Sequence, residues 1–128
     1  MNKTIFLTGI AFGTLAIILG AFGAHALQER LSIDAQNSFE TAVRYQMYHA
    51  LFLLILARLD TVPGISVKPV FILTLLGVFA FSFSIYLLST SELTGLEMNY
   101  LGLMTPFGGI LLISGWILLG YRVYKYLN

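Results

Sequence analysis

The segment IFLTGIAFGTLAIILGAFGAHAL, residues 5–27, contains no Asp, Glu, Lys or Arg. A helix of about 20 mostly apolar residues is long enough to cross a hydrocarbon core about 30 Å thick. Similar apolar runs follow at Tyr45–Leu59, Val70–Ser91 and Pro106–Leu127, and the first of these reaches a full span if its helix begins near Ala35. The four runs predict an all-α polytopic membrane protein, with the whole 128-residue chain forming a single four-transmembrane-helix bundle.

The composition supports the same class of protein. Apolar residues make up 58% of the chain and charged residues 10%, whereas a typical soluble domain carries about 25% charged residues. The net charge of +1 and the lack of a basic stripe argue against nucleic-acid binding. The absence of cysteine excludes disulfides, thiolate metal sites and cysteine nucleophiles. Little sequence is left to form a soluble catalytic domain, so we expect a non-enzymatic protein without a cofactor.

The N-terminal run raises the question of a secretory signal. Lys3, the apolar stretch and then Ala24-His25-Ala26 have the order of a signal peptide with its cleavage site. The apolar part of a signal peptide is usually about 7–15 residues long, and the stretch here is longer and contains several glycines. We therefore expect it to be retained as the first helix.

The basic residues predict the orientation in the membrane. With four crossings both termini lie on the same side, and that side collects Lys3, Arg58, Lys68, Arg122 and Lys125. The opposite side receives only Arg30 and Arg44. Because loops rich in Lys and Arg stay in the cytoplasm, we expect both termini there, in a multi-pass protein of the cell inner (plasma) membrane. In a mitochondrial protein the equivalent side is the matrix.

Small residues are placed where helices could approach closely. The first helix contains Gly9, Gly13, Gly20 and Gly23, and the fourth contains Gly108, Gly109 and Gly115. In lipid, small residues let two helix backbones come close enough to gain van der Waals contact. We interpret these glycines as packing positions within the bundle; the alternative is the seam of a homodimer.

The starts of the second and fourth helices carry recognisable signals. Asp34 is a candidate N-cap, and Glu40 and Arg44 stand at the favourable i,i+4 spacing in amphipathic first turns. For the fourth helix we favour Thr105 as N-cap with Pro106 at the first helical position, where its missing N–H costs nothing. The other possibility is a helix that begins near Tyr100 and contains the proline.

The polar residues of the predicted spans fall in the half of the bundle away from the termini. They are His25, Glu40, Arg44, Tyr45, Gln46, His49, Ser82, Ser84, Tyr86 and Thr105. Polar groups in hydrocarbon need partners, so they form either a satisfied structural network or a pocket that opens outward. A metal site from His25, Glu40 and His49, or a serine nucleophile beside His49, lacks a supporting motif. We therefore predict no catalytic, metal or cofactor-binding residues.

Several segments together resemble the YwdK/YgdD-like family of small membrane proteins. They are residues 20–27 (GAFGAHAL), Tyr45-Gln46 with His49-Ala50-Leu51, residues 81–86 (FSFSIY), and residues 105–109 (TPFGG) with Gly115-Trp116. The resemblance covers nearly the whole chain in the same order. It implies a four-helix protein of the bacterial inner membrane, with a mitochondrial relative in animals, and it implies no particular activity.

Three classes of function remain open at this point, and an enzyme is the third of them in order of preference. The first is a non-enzymatic membrane protein whose polar cluster stabilises the bundle or binds a lipid head group or a membrane-protein partner. The second is a small oligomeric transporter or channel. Transport needs a polar path through the membrane, and the half of the bundle near the termini offers almost only Leu, Ile, Val, Phe and Gly. The first class is therefore favoured, with membrane lipids as partners.

Overall fold

The computed structural model describes residues 1–127, and within that range every regular element is helical. Four long helical segments dominate. The elements are α1 (Lys3–His25), α2 (Ile33–Leu59), α3 (Lys68–Val78), a π-helical segment (Phe79–Phe83), α4 (Ser84–Ser89), α5 (Ser91–Thr94) and α6 (Leu101–Tyr126). The π-helical segment joins α3 and α4 into one continuous rod. The all-α prediction is therefore confirmed.

Three of these segments, among residues 1–127, are long and apolar enough to cross a membrane: Lys3–His25, Lys68–Ser89 and Leu101–Tyr126. The remaining long helix, α2, is not among them. Its apolar second half is interrupted by Gln46 and His49, and its first half carries charged residues. The structure therefore supports a helical membrane protein, while the fourth crossing stays a prediction.

Two helix starts differ from the expected ones. The N-cap of α2 is Ser32, whose Oγ accepts a hydrogen bond from the Ala35 N–H at 3.2 Å. Asp34 lies in the first turn instead, where its charge still favours the helix dipole, so its prediction as N-cap was wrong. The preferred start of the fourth helix was also wrong, because α6 begins at Leu101 and holds Pro106 inside it.

The physical reason for the early start of α6 lies at Thr105. Its Oγ1 lies 2.7 Å from the Ser84 Oγ of the neighbouring rod, so the residue is held as part of the helix instead of capping it. Proline removes one hydrogen bond from a helix interior and its ring crowds the carbonyl of residue i−4. For Pro106, residue i−4 is Gly102, which has no side chain. No atom lies within 4 Å of a Cβ built on Gly102.

The helices pack as two antiparallel pairs around one apolar core. α1 lies along α2, and the rod of α3, the π-helical segment and α4 lies along α6. Buried side chains from all the long segments fill the centre: Ile5, Phe12, Leu53, Leu56, Val70, Val78 and Leu112. The Asn2 N–H donates to the Ala57 carbonyl at 3.0 Å, which fixes the beginning of α1 beside the end of α2.

Large apolar side chains also cover the outside of the bundle. Ile17, Ile55 and Ile117 are each more than 60% exposed. Soluble monomers rarely expose apolar patches of more than a few hundred Å². Such a surface matches hydrocarbon as the surrounding solvent.

The glycines of the first helix face α2 at all four predicted positions, and at three of them the contact is closer than ordinary van der Waals distance. A Cβ built on Gly9 would lie 2.9 Å from the Ala50 carbonyl oxygen, and one on Gly23 would lie 2.7 Å from the Phe39 ring. At Gly20 the nearest atom is a methyl of Val43 at 3.2 Å. Gly13 has ordinary contact distances, with its nearest atom 3.6 Å away. The close contacts therefore lie within the chain.

In the second pair the tightest contact is at Gly108. A built Cβ there would lie 2.6 Å from the Ala80 carbonyl carbon and would overlap the Phe81 amide nitrogen. At Gly115 the nearest atom is the Thr74 Oγ1 at 3.2 Å, whereas Gly109 meets nothing closer than 3.9 Å. Gly77, which the sequence analysis did not single out, faces Leu112 at 2.6 Å. Close approach between α6 and the rod of α3, the π-helical segment and α4 thus depends on glycines in both of them.

Candidate functional site

Gln46 lies at the centre of the polar cluster and is completely buried. Its Nε2 donates to the Phe12 carbonyl of α1 at 2.9 Å, and its Oε1 accepts from the Tyr86 hydroxyl of α4 at 2.7 Å. One side chain of α2 therefore joins three helices. The Tyr86 ring packs against Phe39, with ring centroids 5.0 Å apart, so the hydroxyl is held in position.

His49 forms a second connection, from α2 to α6. Its Nδ1 lies 2.7 Å from the Tyr45 carbonyl, and its Nε2 accepts from the Trp116 indole N–H at 3.1 Å. A carbonyl accepts only, so Nδ1 carries the proton and Nε2 is the free acceptor that the indole needs. This neutral tautomer has both ring nitrogens satisfied. His25, predicted as a member of the same polar cluster, is exposed at the end of α1, and the partner of the His49 Nε2 is Trp116.

Two serines extend the network to the π-helical segment and α4. The Ser82 Oγ donates to the Ala42 carbonyl of α2 at 2.8 Å. The Ser84 hydroxyl lies 2.7 Å from its own helix carbonyl at Ala80 and 2.7 Å from the Thr105 Oγ1. Ser82 lies within the π-helical segment and Ser84 directly follows it, and Gly108 approaches the same segment. Close packing and hydrogen bonding therefore occur at the same level of the bundle.

Within residues 1–127 no buried side-chain nitrogen or oxygen lacks a hydrogen-bond partner. Each donor and acceptor of Gln46, His49, Ser82 and Tyr86 described above is used inside the chain. A ligand that entered this cluster would have to displace existing bonds. The arrangement therefore suits a structural connection between helices.

The remaining predicted cluster residues lie at the rim. Glu40 and Arg44 form an exposed ion pair, with Oε1 and Nη2 3.0 Å apart. The Tyr45 side chain is 40% exposed and contacts the ring of Tyr48. Among the residues that the structure describes, no three His, Asp or Glu side chains are close enough to hold a metal ion. The cluster predicted as one group thus divides into a buried core and an exposed rim.

Polar groups are not confined to the half of the bundle away from the termini, and that part of the sequence analysis was wrong. Thr74 is buried in α3, near the opposite end of its rod, and its Oγ1 donates to the Val70 carbonyl at 2.8 Å. A hydroxyl that hydrogen-bonds to a carbonyl of its own helix costs little free energy in an apolar environment, because its partner is always present.

Trp116 was missed as well. Its depth from the start of α6 matches that of His49 in α2, and this match could have indicated the pair.

A cleft lies beside the cluster, where α1 ends and α2 begins. We call it the α1–α2 cleft, and its volume is about 470 Å³. Its small and apolar lining residues are Gly20, Gly23, Ala24, Leu31, Phe39 and Val43. Its polar lining residues are Gln28, Gln36 and Glu40. This cleft, unlike the buried cluster, combines open space with polar side chains at its surface.

The wall of the α1–α2 cleft is fixed by Gln36. Its Nε2 donates to the Gln28 carbonyl at 2.6 Å and to the Leu31 carbonyl at 2.8 Å. The first turn of α2 is thereby tied to the connection between α1 and α2. Because both bonds use the amide nitrogen, the Oε1 of Gln36 remains an available acceptor.

The comparisons with known proteins establish the family. Residues 19–109 match the family described as "Protein of unknown function (DUF423)". The chain belongs to the DUF423 family. The DUF423 match spans α2, the π-helical segment and the first turns of α6, and so includes every member of the buried cluster except Phe12 and Trp116. The resemblance drawn from the sequence motifs is confirmed.

Individual relatives in this family cover nearly the whole chain. The UPF0382 membrane protein YwdK of Bacillus subtilis is 38% identical over 127 residues, covering 98% of this chain and 99% of the relative. A UPF0382 membrane protein of Staphylococcus haemolyticus is 36% identical over 126 residues, with the same coverage of 98% and 99%. No solved structure matches the chain. The relatives are membrane proteins, which agrees with the apolar helices of the DUF423 chain described here.

Proposed function

We propose that this protein is a non-enzymatic integral membrane protein that crosses the inner membrane four times and binds a lipid head group in the α1–α2 cleft. The buried polar cluster serves to hold the helices that frame this cleft. The observation that carries the proposal is the contrast between the two polar regions. Every buried side-chain nitrogen and oxygen of the cluster has a hydrogen-bond partner, whereas the adjoining cleft has volume, and the hydrogen bonds of Gln36 leave its Oε1 unused.

The fourth crossing is supported by the way α2 packs. Gln46 and His49 lower the apolarity of α2, but both are buried and fully paired inside the bundle. A polar side chain whose partners come from neighbouring helices does not have to meet lipid. The lipid-facing side of the same stretch presents Leu51 and Ile55. A helix of 27 residues is about 40 Å long at 1.5 Å per residue, which is sufficient for a span.

Charge supports the orientation. The end of the bundle with the termini carries Lys3, Arg58, Lys68, Arg122 and Lys125 against the single acid Asp60. The other end carries Arg30 and Arg44 against five acids, which are Glu29, Asp34, Glu40, Glu92 and Glu97. The excess of Lys and Arg at the end with the termini favours a cytoplasmic location for both termini. The α1–α2 cleft then opens at the outer surface.

Cysteine labelling tests the four crossings and their direction in this cysteine-free chain. Single cysteines replace four exposed residues: Glu29 and Glu92 at the proposed outer end, and Thr61 and Ser66 at the inner end. We expect an impermeant thiol reagent applied to intact cells to label positions 29 and 92 only. Positions 61 and 66 should react after the membrane is permeabilised. Labelling of position 61 or 66 in intact cells would contradict the proposed topology.

The lipid-binding role is tested by filling the cleft. Ala24 is exposed and lines the cleft, so Ala24→Phe places a ring in the space without entering the core. We expect the purified parent to retain phospholipid in native mass spectrometry and to gain thermal stability when lipid is added. Ala24→Phe should lose at least about tenfold in apparent affinity, equivalent to about 1.4 kcal/mol.

Ala11→Phe is the matched control for this variant. Ala11 is also an exposed alanine of α1, and it does not line the cleft. It should bind lipid and melt like the parent. Equal retention of lipid by the parent and Ala24→Phe would exclude the α1–α2 cleft as the site. Absence of any lipid-dependent stabilisation in the parent would refute lipid binding itself.

A further inference from the structure

The polar lining of the α1–α2 cleft consists of the Glu40 carboxylate and the side-chain amides of Gln28 and Gln36. The Gln36 amide nitrogen is occupied by two backbone carbonyls, so its Oε1 is the atom left for a ligand. The Glu40 carboxylate only accepts, and no Lys, Arg or His lines the cleft. A ligand that donates several hydrogen bonds from a positive centre fits the Gln36 Oε1 and the Glu40 carboxylate. A primary ammonium does so, because it carries three N–H bonds.

A cation is available next to the cleft for an anionic group of the same ligand. The Arg44 Nη2 lies 3.0 Å from the Glu40 Oε1, and the two side chains are 51% and 68% exposed. An exposed ion pair of this kind contributes little stability, so its members can exchange partners at little cost. A zwitterion that brings an ammonium to Glu40 and a phosphate to Arg44 replaces one ion pair by two charge-assisted contacts.

The apolar lining indicates how such a ligand is attached. Leu31, Phe39 and Val43 lie beside the polar residues in the same cleft. Gly20 and Gly23 let Val43 and Phe39 pack closely against α1, so these two side chains form part of the apolar surface of the cleft. A head group joined to a glycerol backbone and acyl chains covers this apolar lining, whereas a small soluble ion leaves it exposed.

We propose that the α1–α2 cleft recognises a phosphoethanolamine group carried by a phospholipid, with its ammonium at Glu40 and Gln36 and its phosphate at Arg44. This specificity rests on the lipid-binding role proposed above and adds the chemistry by which the cleft chooses among lipids. Choline lipids present the same phosphate, but their trimethylammonium has no N–H to donate. A site built around unpaired acceptors discriminates against an analogue that lacks the donor.

The test compares two lipids with identical acyl chains, phosphatidylethanolamine and phosphatidylcholine, on the full delipidated protein in detergent. Affinity is measured by native mass spectrometry and by the shift in melting temperature. We expect phosphatidylethanolamine to bind about tenfold more tightly than phosphatidylcholine. Glu40→Gln removes the charge at constant size and should abolish that preference. Glu92→Gln removes an acid at the same end of the bundle, outside the cleft, and should leave the preference unchanged.

Soluble phosphoethanolamine separates the lipid from its head group alone. At the same concentration it should give less than about a tenth of the lipid's stabilisation, because it leaves the apolar lining uncovered. An equal shift from the soluble compound would overturn the assignment to a lipid.

The outcomes also separate this specificity from lipid binding in general. Equal affinity for both lipids, with binding still blocked by Ala24→Phe, would overturn the ammonium selectivity and leave the cleft as a lipid site. Binding of neither lipid would overturn both proposals. An unchanged preference in Glu40→Gln would show that Glu40 is not the ammonium partner.

Discussion

Gly108→Leu is expected to destabilise the bundle more than any other single change at the predicted packing glycines. Even a Cβ at this position would overlap the backbone of Ala80 and Phe81, which belongs to a helix and has no flexible end to move aside. Overpacking usually costs about 1–3 kcal/mol, and contact with backbone instead of a side chain places this site at the upper end. The rod containing the π-helical segment would have to move away from α6, which also separates Ser84 from Thr105.

The effect can be measured as the melting temperature in detergent, with Gly108→Ala as the milder variant. Gly120→Ala and Gly102→Ala are matched controls in the same helix, because no atom lies within 4 Å of a built Cβ at either position. In the controls, replacing glycine by alanine should be neutral or stabilising by up to about 1 kcal/mol, since glycine is a poor helix former. If Gly108→Leu melts like the Gly120→Ala control, the close approach at Gly108 is refuted.

The sequence was sufficient for the fold class because the apolar runs are long. Both limits of α1 and of the α3–α4 rod, and the C-terminal limit of α6, follow from where charged residues and proline interrupt the apolar runs. The predicted limits of these segments agree with the structure to within a few residues. The start of α6 did not follow, because Thr105-Pro106 fits both a helix start and a helix interior. The choice between them depends on the Ser84 hydroxyl of another rod, which a local pattern does not contain.

The cluster residues were identified by type and depth, but their partners could not be. Gln46 was predicted as polar and buried, yet nothing local indicates that its amide reaches Phe12 in α1 and Tyr86 in α4. Partners of this kind depend on the rotation of each helix about its axis. Rotating a helix about its axis by the angle between successive residues, about 100°, would move a side chain from the centre of the bundle to the lipid. His25 shows the same limit, since its depth is suitable but its side chain is exposed.

The α1–α2 cleft was not predicted because its wall is made by a connection. Gln36 binds the Gln28 and Leu31 carbonyls across the turn between two helices. Such bonds, from a half-buried glutamine to carbonyls five and eight residues earlier, leave no periodic signal in the sequence. Glu40 and Arg44 were recognised as an i,i+4 pair, and the structure places Glu40 in the cleft wall.

The hydrogen bond between Gln46 and Tyr86 gives the second large expected effect, in a double-mutant cycle. Gln46→Leu leaves the buried Tyr86 hydroxyl without its acceptor, and Tyr86→Phe leaves the buried Gln46 Oε1 without its donor. An unsatisfied buried polar group costs about 1–3 kcal/mol. The double variant removes both polar groups at nearly constant volume. We therefore expect it to be less destabilised than the sum of the single variants.

The cycle is measured as the free energy of unfolding of the four proteins in mixed micelles. Hydrogen bonds between membrane helices average about 0.6 kcal/mol and reach about 1.7, and complete burial places this pair toward the upper value. Tyr45→Phe serves as control, because Tyr45 is exposed, and it should change stability by less than about 0.5 kcal/mol. Strictly additive effects in the cycle would mean that the two side chains are not coupled. The polar cluster would then contribute nothing specific to holding α2 against α4, and the proposed structural role would fail at its central residue.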